Sequence, residues 1–207
     1  MRKIRDFRLR LSHKELRRRA RTAVDLGSIG LSEDRRDDPK FERLVDGFCS
    51  RLKPAVLFES FGPDSPETAE LSPLPGLAHT LALATLGPCA GELVAEARTE
   101  SETRGKLYEL MARMAGEESV QFVTGLLKDE VEEERCELSP IHYLTEAQAL
   151  ALAFQKLEGS KIGLSLEAGS LHPAFSAAFC LSWISRGRSR KSKPGARKPP
   201  PQAGRKP

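Results

Sequence analysis

The side chains of this sequence best suited to nucleophilic or metal chemistry are four cysteines and four histidines, and their spacing supports neither. Cys49, Cys89, Cys136 and Cys180 stand far apart, with no Cys-x-x-Cys pair and no histidine at ligand spacing from any of them. Zinc ribbons and redox dithiols need close pairs on one turn. The four read instead as small buried apolar residues in a reducing compartment. His13, His79, His142 and His172 have no evident acid or nucleophile partner, so no Ser/His/Asp or Cys/His arrangement follows. The acidic run at 129–135 lacks the glycine turn of a calcium loop and reads as a solvated helix face or a frayed terminus. Neither a Gly-x-Gly-x-x-Gly turn nor a Gly-x-x-x-x-Gly-Lys phosphate loop is present. The cluster Arg17, Arg18, Arg19 and Arg21 invites a nucleic-acid reading, but no aromatic stacking residue is interleaved with it, which favours a solvated helix face.

The elements that would position any site follow from periodicity. Phe7, Leu9 and Leu11 alternate with Arg8 and Arg10, the period of a half-buried strand. Ser12 with Glu15 predicts a capping box and a helix carrying Leu16, Ala20 and Val24, stopped at Gly27. Phe41, Leu44, Val45, Phe48 and Leu52 recur at helical spacing up to the break at Pro54. Strands are predicted at 55–61 and 77–86, the second ending at Gly87-Pro88, where proline suits a helix start. The longest periodic block runs from Leu107 to Leu127 and predicts the central helix. The chain then turns on residues 136–183: a loop carrying Ser139-Pro140, a helix opened by Thr145 with Gln148 as a second capping box and closed by Gly159, a strand at 162–166, and a hairpin-like segment around Pro173.

A length of 207 residues, 39% apolar and 30% charged, suits one soluble domain with appendages. Of the 33 Lys and Arg, nine lie in residues 186–207, which hold no acid, so residues 1–185 carry more acidic than basic side chains, 29 against 24. The tail has no apolar content to offset its ordering entropy and is predicted to be disordered, either as a weak, salt-sensitive polyanion binder or as a plain solubilising segment. No signal-peptide core follows the basic first residues, and no stretch approaches the roughly 18–20 uninterrupted apolar residues of a membrane span. The expectation is a cytoplasmic protein with no membrane partner. Short strands and amphipathic helices in irregular alternation predict an α+β domain over 1–185, a twisted, largely antiparallel sheet covered by helices.

Four patches, in order, resemble the activation (S-adenosylmethionine-binding) domain of cobalamin-dependent methionine synthase in a stand-alone, divergent form. Ala84-Thr85-Leu86-Gly87 resembles the family's strand end before a helix. The helical block 107–127 with Glu117-Glu118 resembles its central helix with an embedded acid. Ser139-Pro140 followed by Gln148 sits where the family has an Arg-x-Ser-Pro-Gly-Tyr loop and its helix. Ile162-Gly163-Leu164-Ser165-Leu166, then Leu171, Pro173 and Ser176, resembles its Ile-Gly-Val-x-Leu-Thr, Met-x-Pro and Lys-Ser pattern. The resemblance spans roughly residues 80–183.

What the resemblance implies is a fold like that domain's, and a binder of S-adenosylmethionine, of a corrinoid protein, or of both, that assists reductive methylation of cobalamin carried by another polypeptide. No Asp-x-His-x-x-Gly cobalamin-ligating motif is present here. Such a domain supplies no catalytic acid, base or nucleophile and works by positioning. The cofactor-binding positions it implies are Glu118 for the methionyl ammonium, the loop residues Ser139, Pro140, Ile141, His142 and Tyr143, and Glu167, which stands where the family has threonine. Within the loop Glu137 falls on the family's arginine, Ile141 on its glycine and His142 on its tyrosine; His142 reads either as a ring that stacks on a corrin or adenine or as a loop histidine without a ligand. The loop at Pro140 and the hairpin at Pro173 are expected to converge on one pocket. The partners implied are a corrinoid-binding protein or methionine synthase modules. The competing reading is a non-catalytic descendant that serves as an interaction or scaffold module.

Overall fold

The computed structural model describes residues 1–32 and 38–186. Apart from Arg186, the tail expected to be disordered lies outside them. The described residues form eight strands and five helices: β1 (Arg2–Arg5), α1 (His13–Ala23), α2 (Pro39–Arg51), β2 (Ala55–Phe61), β3 (His79–Thr85), α3 (Cys89–Glu100), α4 (Glu102–Glu133), β4 (Cys136–Leu138), β5 (His142–Tyr143), α5 (Ala147–Leu157), β6 (Ser165–Glu167), β7 (Ser170–His172) and β8 (Ala177–Ser185). This is an α+β architecture. Its main sheet is antiparallel throughout, in the order β1-β2-β3-β8-β4, with β5 also paired to β8; β6 and β7 form a separate hairpin.

Both faces of the sheet are covered. All seven residues of β3 are buried, His79, Thr80 and Thr85 included, which is why residues 81–84 read as an apolar run and not as an alternation. On one face Val56, Phe58, Ala82, Phe179 and Leu181 meet Val120, Val123 and Leu127 of α4. On the other, Leu57, Leu81, Leu83 and Cys180 meet Leu150, Ala153 and Leu157 of α5. The first half of α4 leaves the sheet and packs with α1, α2 and α3 around Phe41, Phe48, Leu107 and Met111. Among the described residues no helix is long and apolar enough to cross a membrane.

Several local expectations are corrected. Residues 7–11 alternate as predicted, with Leu9 and Leu11 buried and Arg8 and Arg10 exposed, but they lie over the helices and pair with no strand; the strand is Arg2–Arg5, separated from them by Asp6. Ser12 does cap α1, accepting from Glu15 N at 3.4 Å, whereas the Glu15 carboxylate turns to Arg18 and Arg19 and closes no box. That helix ends at Val24, not Gly27. Helix α5 is capped by Glu146 without a side-chain bond, so Thr145 and Gln148 form no capping box. It is closed by Glu158 in the left-handed region, one residue before Gly159. Residues 159–162 make a 3-10 turn, and the expected strand begins only at Ser165. The cysteines are free, with Cys180 buried and the other three partly so.

The arginine cluster is largely structural. Arg17 is buried, donates to the Ser32 carbonyl at 3.0 Å and lies 4.4 Å above the Phe41 ring. Arg18 and Arg19 hold Glu15, and Arg19 also reaches Glu117 of α4 at 2.9 Å. The bonds from Arg18 and then Arg19 take the Glu15 carboxyl from its ordinary 4.5 to about 2. A carboxylate depressed in the folded state stabilises fully above its unfolded value and loses that contribution as pH falls through the folded one. Thermal unfolding followed by circular dichroism is therefore expected to show Tm falling between pH 4.5 and about 2, and the Glu15→Gln variant to show a shallower fall. Because the group is exposed, 0.5 M NaCl should flatten the difference.

Candidate functional site

The Ser-Pro loop is a break in the outer strand of the sheet. β4 pairs with the end of β8 and β5 with its beginning, and Ser139 bridges the gap: its N–H donates to the Ser182 carbonyl at 2.8 Å, and its hydroxyl accepts from the Ser182 N–H at 2.9 Å while donating to the Pro140 carbonyl at 2.9 Å. A side-chain oxygen thus replaces the carbonyl a regular ladder would offer. The polar groups of Ser139 are spent on the sheet edge.

From there the alternation of a strand distributes the loop residues. Ile141 joins the apolar cluster beneath α4. His142 is exposed and sits opposite Cys180, on the α5 side. Tyr143 sits opposite Phe179, on the α4 side, with ring centroids 6.4 Å apart, and is 45% exposed. Glu167 belongs to the β6–β7 hairpin, whose Leu166 and Leu171 pack on the α5 side. Glu118 is exposed on α4 and makes no ion pair or hydrogen bond among the described residues. The two prolines stand at different levels of β8: Pro140 follows the residue bonded to Ser182, whereas the Pro173 carbonyl accepts from Ser176, ahead of the first residue of β8.

What converges is the far end of the loop and the segment after Pro173. Tyr143, Phe175 and Ser176 face Arg113, Gly116 and Glu117 of α4 across an open groove of about 300 Å³. The Ser176 hydroxyl donates to the Pro173 carbonyl at 2.7 Å and lies 2.9 Å from the Thr85 hydroxyl, tying this wall to the end of β3. Gly116 leaves room: a Cβ built there meets nothing within 4 Å. The rim carries opposite charges one helical turn apart, Arg113 bonded to Glu109 at 2.5 Å and Glu117 bonded to Arg19. Partial burial, and then the Glu117 carboxylate, push the Tyr143 phenol above its usual range. The lining thus offers two aromatic side chains and, at the rim, one cation and one anion.

Of the cofactor-binding positions expected from sequence only Tyr143 lines this groove, joined by Glu117 and Ser176 from the resembling patches. Arg113 and Gly116 were not legible, because on an isolated amphipathic helix they look like any solvated positions. The histidines behave differently from one another. His79 is buried and satisfied, with Nε2 2.9 Å from the Thr68 hydroxyl and Nδ1 3.3 Å from the Leu77 carbonyl. His13 lies 3.5 Å from Asp46 in a cleft of about 690 Å³ that also exposes Cys49. This is no nucleophile site: burial pushes the Cys49 thiol up, which keeps it protonated, and no bond joins it to His13. Among the described residues there is no cluster of His, Cys, Asp or Glu able to hold a metal ion. Compared with protein-family models and with curated proteins, the chain matches none.

Proposed function

We propose that this chain is a divergent, stand-alone relative of the activation domain of cobalamin-dependent methionine synthase, and that it acts by holding S-adenosylmethionine, a corrinoid protein, or both. The observation that carries the reading is the groove at Tyr143 and Phe175, whose donor set suits this ligand. An adenine ring would stack on the aromatic side chains that line the groove, and a sulfonium would be attracted to the same π faces. Arg113 would take the methionyl carboxylate and Glu117 the ammonium, in place of Glu118 one position along. Each would exchange an exposed ion pair worth about 0–1 kcal/mol, so the exchange costs little. Ser139 and Pro140 would act only by holding β5, and so Tyr143, in register. The ligand, when bound, supplies a transferable methyl group for cobalt carried by the partner; the chain's own residues orient it and exclude water from one side.

Thermal unfolding with S-adenosylmethionine tests this. Ligand at a hundred times its dissociation constant stabilises by about 2.7 kcal/mol, equivalent to roughly 5–10 °C in Tm for a domain of this size. Tyr143→Ala should weaken binding by about 10- to 100-fold through lost stacking. Gly116→Leu fills the groove and should abolish the shift while leaving unliganded stability no lower, since glycine is the poorest helix former present.

The second reading, a non-catalytic scaffold or interaction module, is favoured by one observation: no buried side-chain polar atom among the described residues lacks a partner, so none is held in reserve for a ligand. Absence of any shift at millimolar S-adenosylmethionine, in wild type and variants alike, would select it.

A further inference from the structure

At Asp6 the chain leaves the edge of the sheet. β1 is the outermost strand on its side, and Asp6, with a φ of 53°, donates its N–H to the Pro54 carbonyl at 2.8 Å. The five residues that follow alternate in burial as a strand does, and packing fixes them from one side. Phe7 stacks on Phe122 of α4 with ring centroids 4.1 Å apart, and Leu9 and Leu11 are sunk among the helices. Yet among the described residues no hydrogen bond engages the backbone of Phe7, Arg8, Leu9 or Arg10. A row of donors and acceptors is held in strand form with no strand to meet it.

The same residues wall the cleft of about 690 Å³, whose other wall is α2 at Asp46, Gly47, Cys49 and Ser50. The cleft shares no lining residue with the groove at Tyr143. In an extended chain the backbone groups of alternate residues point to the same side. Leu11 bonds through its backbone to the Cys49 sulfur on α2, so the N–H and C=O of Phe7 and Leu9, which share its parity, point toward α2 as well. A ligand in the cleft therefore meets four unpaired backbone groups, carried by residues two apart. An extended peptide is the chemistry that matches such a repeat. The helix wall leaves it room, since a Cβ built on Gly47 meets nothing within 4 Å.

We propose that this cleft takes an extended segment of a partner protein as an added strand, antiparallel to residues 7–10, in which apolar and acidic side chains alternate. The partner residues opposite Phe7 and Leu9 exchange backbone bonds with them and turn their side chains to the same face, where Leu9 and Leu52 make an apolar floor. Those opposite Arg8 and Arg10 form non-hydrogen-bonded pairs, in which side chains stand closest, and there a carboxylate is the complement. Asp46, the acid on the helix wall, already lies 3.5 Å from the His13 ring. Because packing orders the receiving segment before the partner arrives, little ordering is left to the encounter.

The probe is the capped tetrapeptide Glu-Val-Glu-Val, with a second version methylated at both valine nitrogens, followed by ¹H–¹⁵N spectra and amide exchange of the full chain in 150 mM NaCl. Millimolar parent peptide is expected to shift the Phe7 and Leu9 amides and slow their exchange several-fold, while the Arg8 and Arg10 amides, on the opposite side, exchange as before. The methylated peptide has the same charge but lacks both donors, and should bind about 10-fold more weakly. Ser50→Trp should weaken the parent peptide to a similar extent by filling the cleft. Its fold is not at stake, since Ser50 is exposed and its hydroxyl bonds the Gly47 carbonyl of the same helix at 2.9 Å. Unchanged Phe7 and Leu9 amides at millimolar peptide, or equal binding of the two peptides, would overturn the proposal. So would Phe7 and Leu9 amides that move with protein concentration in the absence of peptide, which would put a second copy of this chain on the edge.

Discussion

Phe179→Ala is expected to remove about 3–5 kcal/mol of unfolding free energy, the cost of emptying a fully buried aromatic site. Phe179 lies at the middle of the sheet, opposite Ala82 on β3 and Tyr143 on β5, with no exposed surface, against Val120 and Val123 of α4. Its two cross-strand neighbours cannot fill the void: Ala82 is small, and Tyr143 is held at the edge by the Ser139 bridge. Urea unfolding measures the loss as a lower midpoint at unchanged slope. A loss below about 1 kcal/mol would mean that this side chain is not enclosed between the sheet and α4 as described.

Gly105→Val is expected to cost about 1–3 kcal/mol by overpacking. Ser101 serves both as the C-cap of α3 and as the N-cap of α4, so the chain reverses with no intervening loop and the two helices meet at Gly105. A Cβ there would sit 2.1 Å from Arg98 Cγ and 3.1 Å from its Cα. The first contact can be relieved by swinging the arginine away from Glu109, to which it is bonded at 2.6 Å; the second is backbone and cannot. Branched methyls therefore force the helices apart. Gly125→Ala in the same helix is the matched comparison. Nothing lies within 4 Å of its added Cβ, and it should stabilise by up to about 1 kcal/mol, the helix-propensity difference between the two residues.

The contrast between what was legible and what was not follows sequence distance. Helix α2 and strands β2 and β3 were readable because each carries its own period or an apolar run bounded by Pro54 or Gly87-Pro88. β1 was invisible: Arg2–Arg5 has only Ile4 as an apolar residue, and it is a strand because β2 has a free edge there and Glu130 waits for Arg2. Phe7, Leu9 and Leu11 show the reverse, a strand's alternation without a strand's partner. β8 was hidden in a hairpin expected around Pro173, since Ala177, Ala178 and Cys180 make a weak local signal and what defines the strand is its pairing with β3 and β5. For the same reason the groove could not be read ahead of the structure. Its aromatic wall was visible as Tyr143, but Arg113 and Gly116 acquire meaning only when Phe175 is laid across the helix from them.

The position of β8 between β3 and the outer strands also governs how the protein can be made. A ribosome delivers β2 and β3 before α3, α4 and α5, and delivers the strand that joins the two halves of the sheet after all of them. At 5–20 residues per second the wait is roughly 5–20 s. Throughout it Leu81 and Leu83 border an open row of backbone amides and carbonyls, a template for pairing with a neighbouring nascent chain. Yield in a foreign host should therefore depend on translation speed and holdase capacity more than on final stability. A frameshift past α5 would release not a slightly shortened protein but one whose inner strand has become its stickiest surface.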